Sequence, residues 1–126
     1  MSAAQHLIVY VEDNEDNFRL IQRLLESTGR YRVLHAPDGP SGLEMIREEL
    51  PVIALLDLDL PGITGFELAR LLRASPETQR IKLVAISANV MQREHQRALE
   101  AGCEFFVEKP VNIVGLRNLI AKLVKS

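Results

Sequence analysis

Near the middle of the chain, a short apolar segment ends in an acidic residue. Residues 53–56 are aliphatic, Asp57 follows them directly, and Asp59 comes two positions later, before Pro61 and Gly62. An aliphatic run this short, bounded by turn residues, is typical of a strand buried on both faces. A carboxylate that ends such a strand lies at the sheet edge where α/β proteins place their chemistry. Taken alone, Asp57 is explained equally well as a cap of the turn that follows.

Polar side chains also follow three other strand-like segments of the chain. They are Glu12 and Asp13 after residues 7–11, Ser87 after residues 81–86, and Lys109 after residues 104–107. Singly, each has an ordinary structural explanation, because acidic residues before a helix are commonly N-caps and Ser or Lys is common in turns and at solvated strand ends. All of those explanations would have to coincide at one sheet edge, so the combined pattern favours a functional site.

Strand-like and helix-like segments alternate five times along the sequence. The strand-like segments are residues 7–11, 31–36, 52–56, 81–86 and 104–107. Between them apolar residues recur at helical spacing, as at Phe18, Ile21, Leu24 and Leu25, and Gly29 is expected to cap the first helix. Such alternation predicts an α/β protein with parallel strands and crossover helices. Because the strands are so apolar, helices must cover both faces, and the predicted fold is a doubly wound, five-stranded parallel sheet.

The order of the strands decides which polar residues meet. In the order 2-1-3-4-5 of flavodoxin-like sheets, the first and third strands are neighbours at the topological switch point. Glu12, Asp13 and Asp57 then converge in one crevice, where like charges raise each other's pKa and destabilise the fold unless a cation lies between them. Carboxylate oxygens in an open, partly hydrated site suit Mg²⁺.

Lys109 and Ser87 approach the same crevice from the other side. A cation and a hydroxyl that face a carboxylate cluster are the partners that phosphoryl oxygens require, together with Mg²⁺. A central carboxylate such as Asp57 can itself be the nucleophile that accepts the phosphoryl group. The sequence therefore predicts phosphoryl chemistry on an aspartate.

Composition narrows the classes of function. With 126 residues, 47% of them hydrophobic and 25% charged, the chain has the size and composition of one soluble globular domain. A net charge of -2 with scattered basic residues argues against a nucleic-acid surface. A single cysteine, Cys103, excludes an internal disulfide and a multi-cysteine metal site. The apolar runs are too short for a membrane span and the first six residues hold no basic leader, so we expect a cytoplasmic protein.

Over essentially its whole length, the sequence resembles the receiver domains of two-component response regulators. The residues that carry the resemblance are the Glu12-Asp13 pair, Asp57 with Pro61, Gly62 and Gly65, Ser87-Ala88, and Lys109-Pro110. Each motif alone is weak, but all of them in this order and at this spacing are highly specific. The resemblance implies one receiver domain over residues 1–126, without an output domain.

By this resemblance, Asp57 is the phosphoacceptor, and its phosphoryl group comes from a histidine kinase or a histidine phosphotransfer protein. Asp13 and Asp57 are expected to ligate Mg²⁺ directly, Glu12 to act through water, and the backbone carbonyl of Asp59 to complete the protein ligands. Asp59 and Asn89 also occupy the two positions at which the family tunes the lifetime of the phosphoryl group.

The resemblance also implies a switch. Ser87 is the switch hydroxyl, at a position where threonine is more common, and Phe106 is the rotameric aromatic, at a position that is often tyrosine. Lys109 is expected to pair with the phosphoryl oxygens, and the Lys109-Pro110 bond matches the family's cis peptide, which proline tolerates. The surface that changes, and that binds a downstream target protein, is then the fourth helix, the fifth strand and the last helix, within residues 91–122.

The favoured function is a signalling module that catalyses only its own Mg²⁺-dependent phosphotransfer and dephosphorylation, with no direct nucleic-acid or membrane partner. The alternative enzyme is a phosphatase of the haloacid dehalogenase type, which also ends an apolar strand in Asp-x-Asp, as at Asp57 and Asp59. Against it, Leu60-Pro61 follows where Thr or Val is expected, and the motif lies mid-chain, after a strand that already carries an acidic pair. A degenerate receiver used only for docking would have no reason to retain every site residue.

Such a receiver acts alone, relays phosphate, or belongs to a larger regulator. Met1 just before the first strand and the basic end at Lys122, Lys125 and Ser126 favour a complete small protein. No role is predicted for the three histidines, which are unclustered in the sequence: His6, His35 and His95.

Overall fold

Five strands and five helices alternate in the computed structural model of the chain, which describes residues 5–60 and 62–125. The strands are β1 (His6–Val11), β2 (Tyr31–Ala36), β3 (Ile53–Asp57), β4 (Lys82–Ser87) and β5 (Phe105–Glu108). The helices are α1 (Glu15–Glu26), α2 (Gly39–Glu49), α3 (Gly65–Ala74), α4 (Gln92–Ala101) and α5 (Ile113–Val124). Because every strand is followed by a helix, the predicted α/β alternation is confirmed.

The strands form one parallel sheet in the order β2-β1-β3-β4-β5. β1 pairs with β2 up to Val11 opposite Ala36, and with β3 up to Val11 opposite Leu56. The carboxyl ends of β1 and β3 therefore lie side by side, at the point where the strand order reverses. The predicted order and the doubly wound topology are confirmed, and this edge receives the acidic residues.

Two apolar layers cover the sheet, one on each face. Val9 and Val11 of β1 point into the layer beneath α2, α3 and α4, whereas Ile8 and Tyr10 point into the layer beneath α1 and α5. This alternation follows from the two-residue period of a strand. Each fully buried aliphatic side chain contributes about 1.5–3 kcal/mol, and β3 is buried along its whole length. The sheet is thus a rigid support for the residues at its edge.

Four of the five helices within the described ranges begin at a residue whose side chain accepts a backbone N–H of the first turn, and these caps are Asn14, Asp38, Thr64 and Asn112. Such a cap contributes about 1 kcal/mol. The fifth, α4, begins at Met91, which makes no side-chain capping hydrogen bond. The first turn of α4 therefore lacks a support that the other helices have.

The structure corrects the end of the first helix. α1 ends at Glu26, with Ser27 as its C-cap, and Gly29, at φ 75°, lies in the turn beyond. Leu24, expected on the buried stripe, is only half-buried. Strand limits also move by one residue in β1, β3, β4 and β5, and both Asp57 and Ser87 become the last residues of their strands. Apolar periodicity marks which residues are buried, whereas backbone hydrogen bonds define where a strand ends.

None of the helices found in residues 5–60 and 62–125 is both long enough and apolar enough to cross a membrane.

Candidate functional site

Three carboxylates meet at the carboxyl edge of the sheet. Glu12, Asp13 and Asp57 each offer an oxygen, and these oxygens all lie within 4.8 Å of one another. Glu12 and Asp57 are buried, with 1% and 2% of their surface exposed, whereas Asp13 is exposed. The predicted convergence is confirmed, and its cause is the pairing of β1 with β3. A hard cation prefers oxygen donors of this kind, so the donor set fits Mg²⁺.

Asp57 is held at both of its carboxylate oxygens. Oδ1 accepts the backbone N–H of Asp59 at 2.8 Å, and Oδ2 accepts Nζ of Lys109 at 2.8 Å. The backbone around Asp57 also leaves no room beside it, since a Cβ on Gly65 would lie 2.6 Å from the Asp57 carbonyl oxygen. Gly65 thus allows α3 to begin against the end of β3. Pro61, which belongs to the predicted motif here, lies outside the described residues.

Lys109 arrives from the far side of the sheet, directly after β5. Its Nζ lies 2.8 Å from Oδ2 of Asp57 and 3.7 Å from Oε2 of Glu12. The Lys109-Pro110 peptide is cis, as predicted. Burial lowers the pKa of Lys109, but its hydrogen bond to Asp57 and the charges of Asp57, Glu12 and Asp59 outweigh burial and raise it above its usual value. The lysine is therefore a permanent cation beside the carboxylates.

Glu12 is the most enclosed acid of the cluster. Its Oε1 accepts the backbone N–H of Asn14 at 3.1 Å, and its Oε2 accepts the Tyr10 hydroxyl at 3.0 Å. Burial raises the pKa of Glu12; the Asn14 N–H opposes that rise, and the nearby Asp57 charge adds to it. The pKa of Tyr10 is likewise raised, first by burial and then by the charge of Glu12. Tyr10 is consequently a protonated donor to Glu12.

The switch hydroxyl predicted at Ser87 lies at the same edge. Ser87 is buried, and its Oγ accepts the backbone N–H of Asn89 at 3.0 Å and donates to Oδ2 of Asp59 at 3.5 Å. Asp59 and Asn89 are exposed, and Oδ1 of Asn89 accepts the backbone N–H of Met91. The structure therefore places the Ser87 hydroxyl beside Asp59, two residues after Asp57, at the long hydrogen-bond distance of 3.5 Å.

Phe106 lies further along the sheet, on β5. It is half-buried, it sits opposite Ala85 of β4, and it packs against the apolar layer beneath α3 and α4. Its ring stacks on the ring of His95 in α4, with 3.8 Å between centroids and 17° between planes. Phe106 thus lies beside α4, while its role as a rotameric switch remains a prediction.

Over residues 8–121 the chain matches the family model described as the response regulator receiver domain. The chain belongs to this family. Receivers interact with histidine kinases or phosphotransfer proteins and with downstream targets, so this receiver is a phosphorylation-dependent component of two-component signalling. The match therefore places the chain among the receivers and not among the phosphatases of the haloacid dehalogenase type, the alternative that the Asp-x-Asp pattern had suggested.

Relatives of this receiver have a similar extent. It is 32% identical over 106 residues to the polar-differentiation response regulator DivK of Brucella anthropi, covering 84% of this chain and 85% of DivK. The receiver domain of the sensor histidine kinase PA1611 from Pseudomonas aeruginosa PAO1 is 29% identical, with a TM-score of 0.89 over 98% of this chain and 100% of that one. That structure has a magnesium ion coordinated in its active-site cleft.

A further solved structure supports the same fold. The receiver domain protein from Methanospirillum hungatei JF-1 is 26% identical, with a TM-score of 0.86 over 97% of this chain and 96% of that one. The flavodoxin-like receiver fold is therefore confirmed for this chain.

A cleft of about 480 Å³ adjoins the acidic cluster of the receiver, between α1 and the segment after β5. Its polar lining includes Tyr10, Glu12, Asn17 and Lys109, and its apolar rim includes Leu20 and Ile113. The cleft thus reaches Glu12 and Lys109, whereas Asp13 and Asp57 are not among its lining residues.

The sequence analysis missed three aromatic residues: Tyr10 and His35, which contact Glu12, and His95, which stacks on Phe106. The structure places Nε2 of His35 2.7 Å from the backbone oxygen of Glu12, and since a carbonyl only accepts, that nitrogen carries a proton. A sequence signal existed for Tyr10, because residues two apart on a strand share a face. For His35 and His95, whose partners are 23 and 11 positions away in sequence, the fold itself was needed.

Proposed function

We propose that this receiver accepts a phosphoryl group on Asp57 from a phosphohistidine of a histidine kinase or phosphotransfer protein. The observation that carries the proposal is the position of Asp57, buried at the end of β3, with the Lys109 ammonium on Oδ2 and the Glu12-Asp13 pair beside it. Burial and a fixed cation orient the carboxylate as a nucleophile. A carboxylate oxygen bonds to phosphorus while the bond from phosphorus to the histidine nitrogen breaks.

The acidic cluster supports Mg²⁺ as the cofactor. Asp13 and Asp57 would hold the ion directly, Glu12 through water, and the Asp59 backbone carbonyl would complete the protein ligands. Bound Mg²⁺ offsets the charge of the carboxylates and of the phosphoryl oxygens. The chain's own part is to keep the nucleophile oriented, since Lys109 and the Asp59 N–H hold the two oxygens of Asp57.

After transfer, the phosphoryl group offers new acceptor oxygens and negative charge. Lys109 pairs with one oxygen, and the Ser87 hydroxyl leaves its long contact with Asp59 to donate to another. Movement of Ser87 frees space beside β4 that Phe106 can fill. The proposed target-binding surface is then α4, β5 and α5, and phosphorylation shifts the population between two arrangements of it. Asp59 and Asn89, both exposed at this edge, set access of water to the phosphoryl group and so its lifetime.

The 126 residues act in this proposal as one receiver domain and as a signalling module. Its only chemistry is transfer onto Asp57 and the Mg²⁺-dependent hydrolysis that resets it. Mutual coverage of 84% and 85% with DivK supports a unit of this extent.

The test is phosphorylation by a labelled small acyl phosphate or a phosphorylated histidine kinase, with and without Mg²⁺. Wild type should be labelled only with Mg²⁺, and Asp57→Asn, which removes the anionic nucleophile but keeps its shape, should lose labelling. Asp59→Asn is the matched control and should still be labelled, because it keeps Asp57 and the backbone N–H to Oδ1. Labelling of Asp57→Asn at the wild-type rate would overturn the assignment.

A further inference from the structure

Glu12 is fixed at all of its polar atoms. Its backbone N–H donates to Ala36 at 3.0 Å, and its backbone oxygen accepts Nε2 of His35 at 2.7 Å. Its Oε1 accepts the Asn14 N–H, and its Oε2 accepts the Tyr10 hydroxyl at 3.0 Å. Two of these four donors and acceptors are side chains, from β1 and β2, that have no assigned role in the site. A solvated carboxylate needs no such set of partners.

The two side chains share an aromatic support. Tyr10 and His35 are direct partners across the β1–β2 pair. The ring of Phe18 in α1 stacks on His35, with centroids 4.1 Å apart and 13° between planes, and lies 6.0 Å from the ring of Tyr10. Tyr10 is 1% exposed and Phe18 is 5% exposed. Because the rings are packed against each other, the hydroxyl of Tyr10 and Nε2 of His35 are held in fixed positions under the acidic pair.

The Tyr10 hydroxyl and the Lys109 ammonium approach the same carboxylate oxygen of Glu12. The same Oε2 of Glu12 that accepts Tyr10 lies 3.7 Å from Nζ of Lys109, whereas Asp57 lies 2.8 Å from that Nζ. A buried carboxylate oxygen needs a donor. Without the tyrosine hydroxyl, Oε2 would still have the Lys109 ammonium, which now pairs with Asp57, at 3.7 Å as a possible donor.

We propose that Tyr10 and His35 are positioning residues for the cation site: they fix Glu12 from two sides, keep its carboxylate turned toward the metal, and leave Lys109 to Asp57. This inference rests on the proposed function, since it deepens the role of the acidic cluster. Residues that orient metal-binding groups from behind typically change metal affinity by about 10- to 100-fold when they are replaced. Neither residue touches the reacting atoms, so both act through Glu12.

The test is the dissociation constant for Mg²⁺, measured by calorimetric titration of the full chain with magnesium chloride. Tyr10→Phe removes only the hydroxyl, and His35→Phe removes the donor while retaining a ring to stack on Phe18. Each should weaken Mg²⁺ binding about tenfold. Tyr31→Phe is the matched control, because it removes a phenol hydroxyl at the opposite end of the same strand pair, where Tyr31 faces His6, and should change the constant less than about twofold.

A double-mutant cycle with Glu12→Gln separates positioning from a merely structural role. If Tyr10 and His35 act through the Glu12 carboxylate, Tyr10→Phe and His35→Phe should cost less than about twofold in the Glu12→Gln background. An equal loss in both backgrounds, or no loss in the wild-type background, would overturn the proposal. His35→Gln places an amide N–H near the former Nε2 and should bind Mg²⁺ more tightly than His35→Phe; the reverse order would also overturn it.

The pairing of Lys109 with Asp57, and not with Glu12, can be followed separately by NMR. The Nζ resonance of Lys109, assigned by its loss in Lys109→Arg, should move in Tyr10→Phe and stay in place in Tyr31→Phe; an unmoved resonance in Tyr10→Phe would refute this step. These measurements use unphosphorylated protein. If Asp57 fails to accept phosphate, the proposed function is refuted, but the Mg²⁺ titrations still test the positioning role. If wild type is labelled on Asp57 but Tyr10→Phe binds Mg²⁺ as tightly as wild type, only the positioning role is refuted.

Discussion

Nζ of Lys109 lies 2.8 Å from Oδ2 of Asp57, although the two residues are 52 positions apart in the sequence. β5 and β3 are separated in the sheet by β4, so the lysine reaches across one strand to the acid. It offsets one of the three clustered negative charges, and Asp13, at the exposed side of the cluster, has no lysine this close among the described residues. Lys109 therefore offsets part of the repulsion among the clustered carboxylates.

Mg²⁺ should raise the thermal midpoint of the wild type, because an ion that binds only the folded state stabilises it. At a Mg²⁺ concentration of about 100 times the dissociation constant, the gain is about 2.7 kcal/mol. Asp13→Ala should lose most of this gain, since it removes a direct ligand. Without Mg²⁺, the variant should be at least as stable as wild type, because one member of a like-charged cluster is gone. Scanning calorimetry with and without Mg²⁺ measures both effects. A metal-free Asp13→Ala protein clearly less stable than wild type would contradict the repulsion.

Arg73 should contribute strongly to stability, although it lies far from the site. Its guanidinium donates to the backbone oxygens of Gly102, Gln79 and Ile81 at 2.7–3.0 Å and to the Glu104 carboxylate at 2.8 Å. It thereby joins the end of α3 to the segments before β4 and β5. A lysine cannot supply this planar set of donors.

Arg73→Lys should therefore lower the free energy of unfolding by about 2–3 kcal/mol, measured by urea denaturation. Arg19→Lys is the matched control, since Arg19 forms an exposed pair with Glu15, and exposed pairs are worth about 0–1 kcal/mol. Equal effects of the two substitutions would show that the fork of Arg73 has no special role.

The sequence predicts the sheet and its active edge well, for a physical reason. β3 is apolar throughout because it is covered on both faces, and polar residues appear only where the strand reaches the edge, so Asp57 is conspicuous. Glu12 and Lys109 follow the same logic. Arg73, His35 and His95 escape prediction because their roles depend on carbonyls and rings that are distant in sequence. Gly29 was assigned to the wrong place because a glycine with positive φ serves the turn after a helix as readily as the cap itself.

Cys103 should make stability fall in alkaline solution. The thiol is 3% exposed, and burial raises its pKa to about 11, with Arg73 lowering and Glu104 raising it by smaller amounts. The folded state thus favours the neutral thiol. This contribution is fully present below the ordinary pKa of 9.0 and is lost as pH rises through about 11.

Because one pKa unit corresponds to about 1.4 kcal/mol, the loss is at most about 3 kcal/mol. Cys103→Ala lacks the titrating group. Between pH 9 and 11 the free energy of unfolding should therefore fall more in wild type than in the variant. Urea denaturation at several pH values measures it. A difference that stays constant over this range would contradict the buried thiol.

Leu50 should be replaceable with a gain in stability. It ends α2 at φ 48° and ψ 61°, a left-handed conformation that costs a leucine about 1–2 kcal/mol, and its side chain is 53% exposed. Asparagine adopts this conformation more readily, so Leu50→Asn should raise the free energy of unfolding by about 0.5–1 kcal/mol. The control is Leu99→Asn in α4, 60% exposed but with ordinary helical geometry, where the same change should be neutral or destabilising. A gain at both positions would point to removal of exposed apolar surface instead.

The stack of His95 on Phe106 should set the balance of the switch. With 3.8 Å between ring centroids, the pair holds Phe106 against α4 in the unphosphorylated receiver. An aromatic pair of this kind is worth about 0.5–1.5 kcal/mol beyond its buried area. Since the two switch states are expected to differ by only a few kcal/mol, loss of the stack should move the population several-fold. α4 also lacks a side-chain N-cap, so its first turn can adjust at low cost.

The measurement is a comparison of backbone amide shifts in wild type, wild type with Mg²⁺ and a stable phosphoryl mimic, and His95→Ala. With the mimic, shifts should change at the acidic cluster and also along α4, β5 and near Phe106. In His95→Ala without the mimic, the amides of α4 and β5 should move part of the way along the same lines, because a shift in population moves each resonance between two fixed end points. His6→Ala makes the same substitution at the first residue of β1 and is the control. It should leave the amides of α4 and β5 unshifted. If the mimic changes only the loops around Asp57, or if His95→Ala moves the amides of α4 along unrelated directions, then Phe106 is a packed core residue and the receiver carries phosphate without altering this surface.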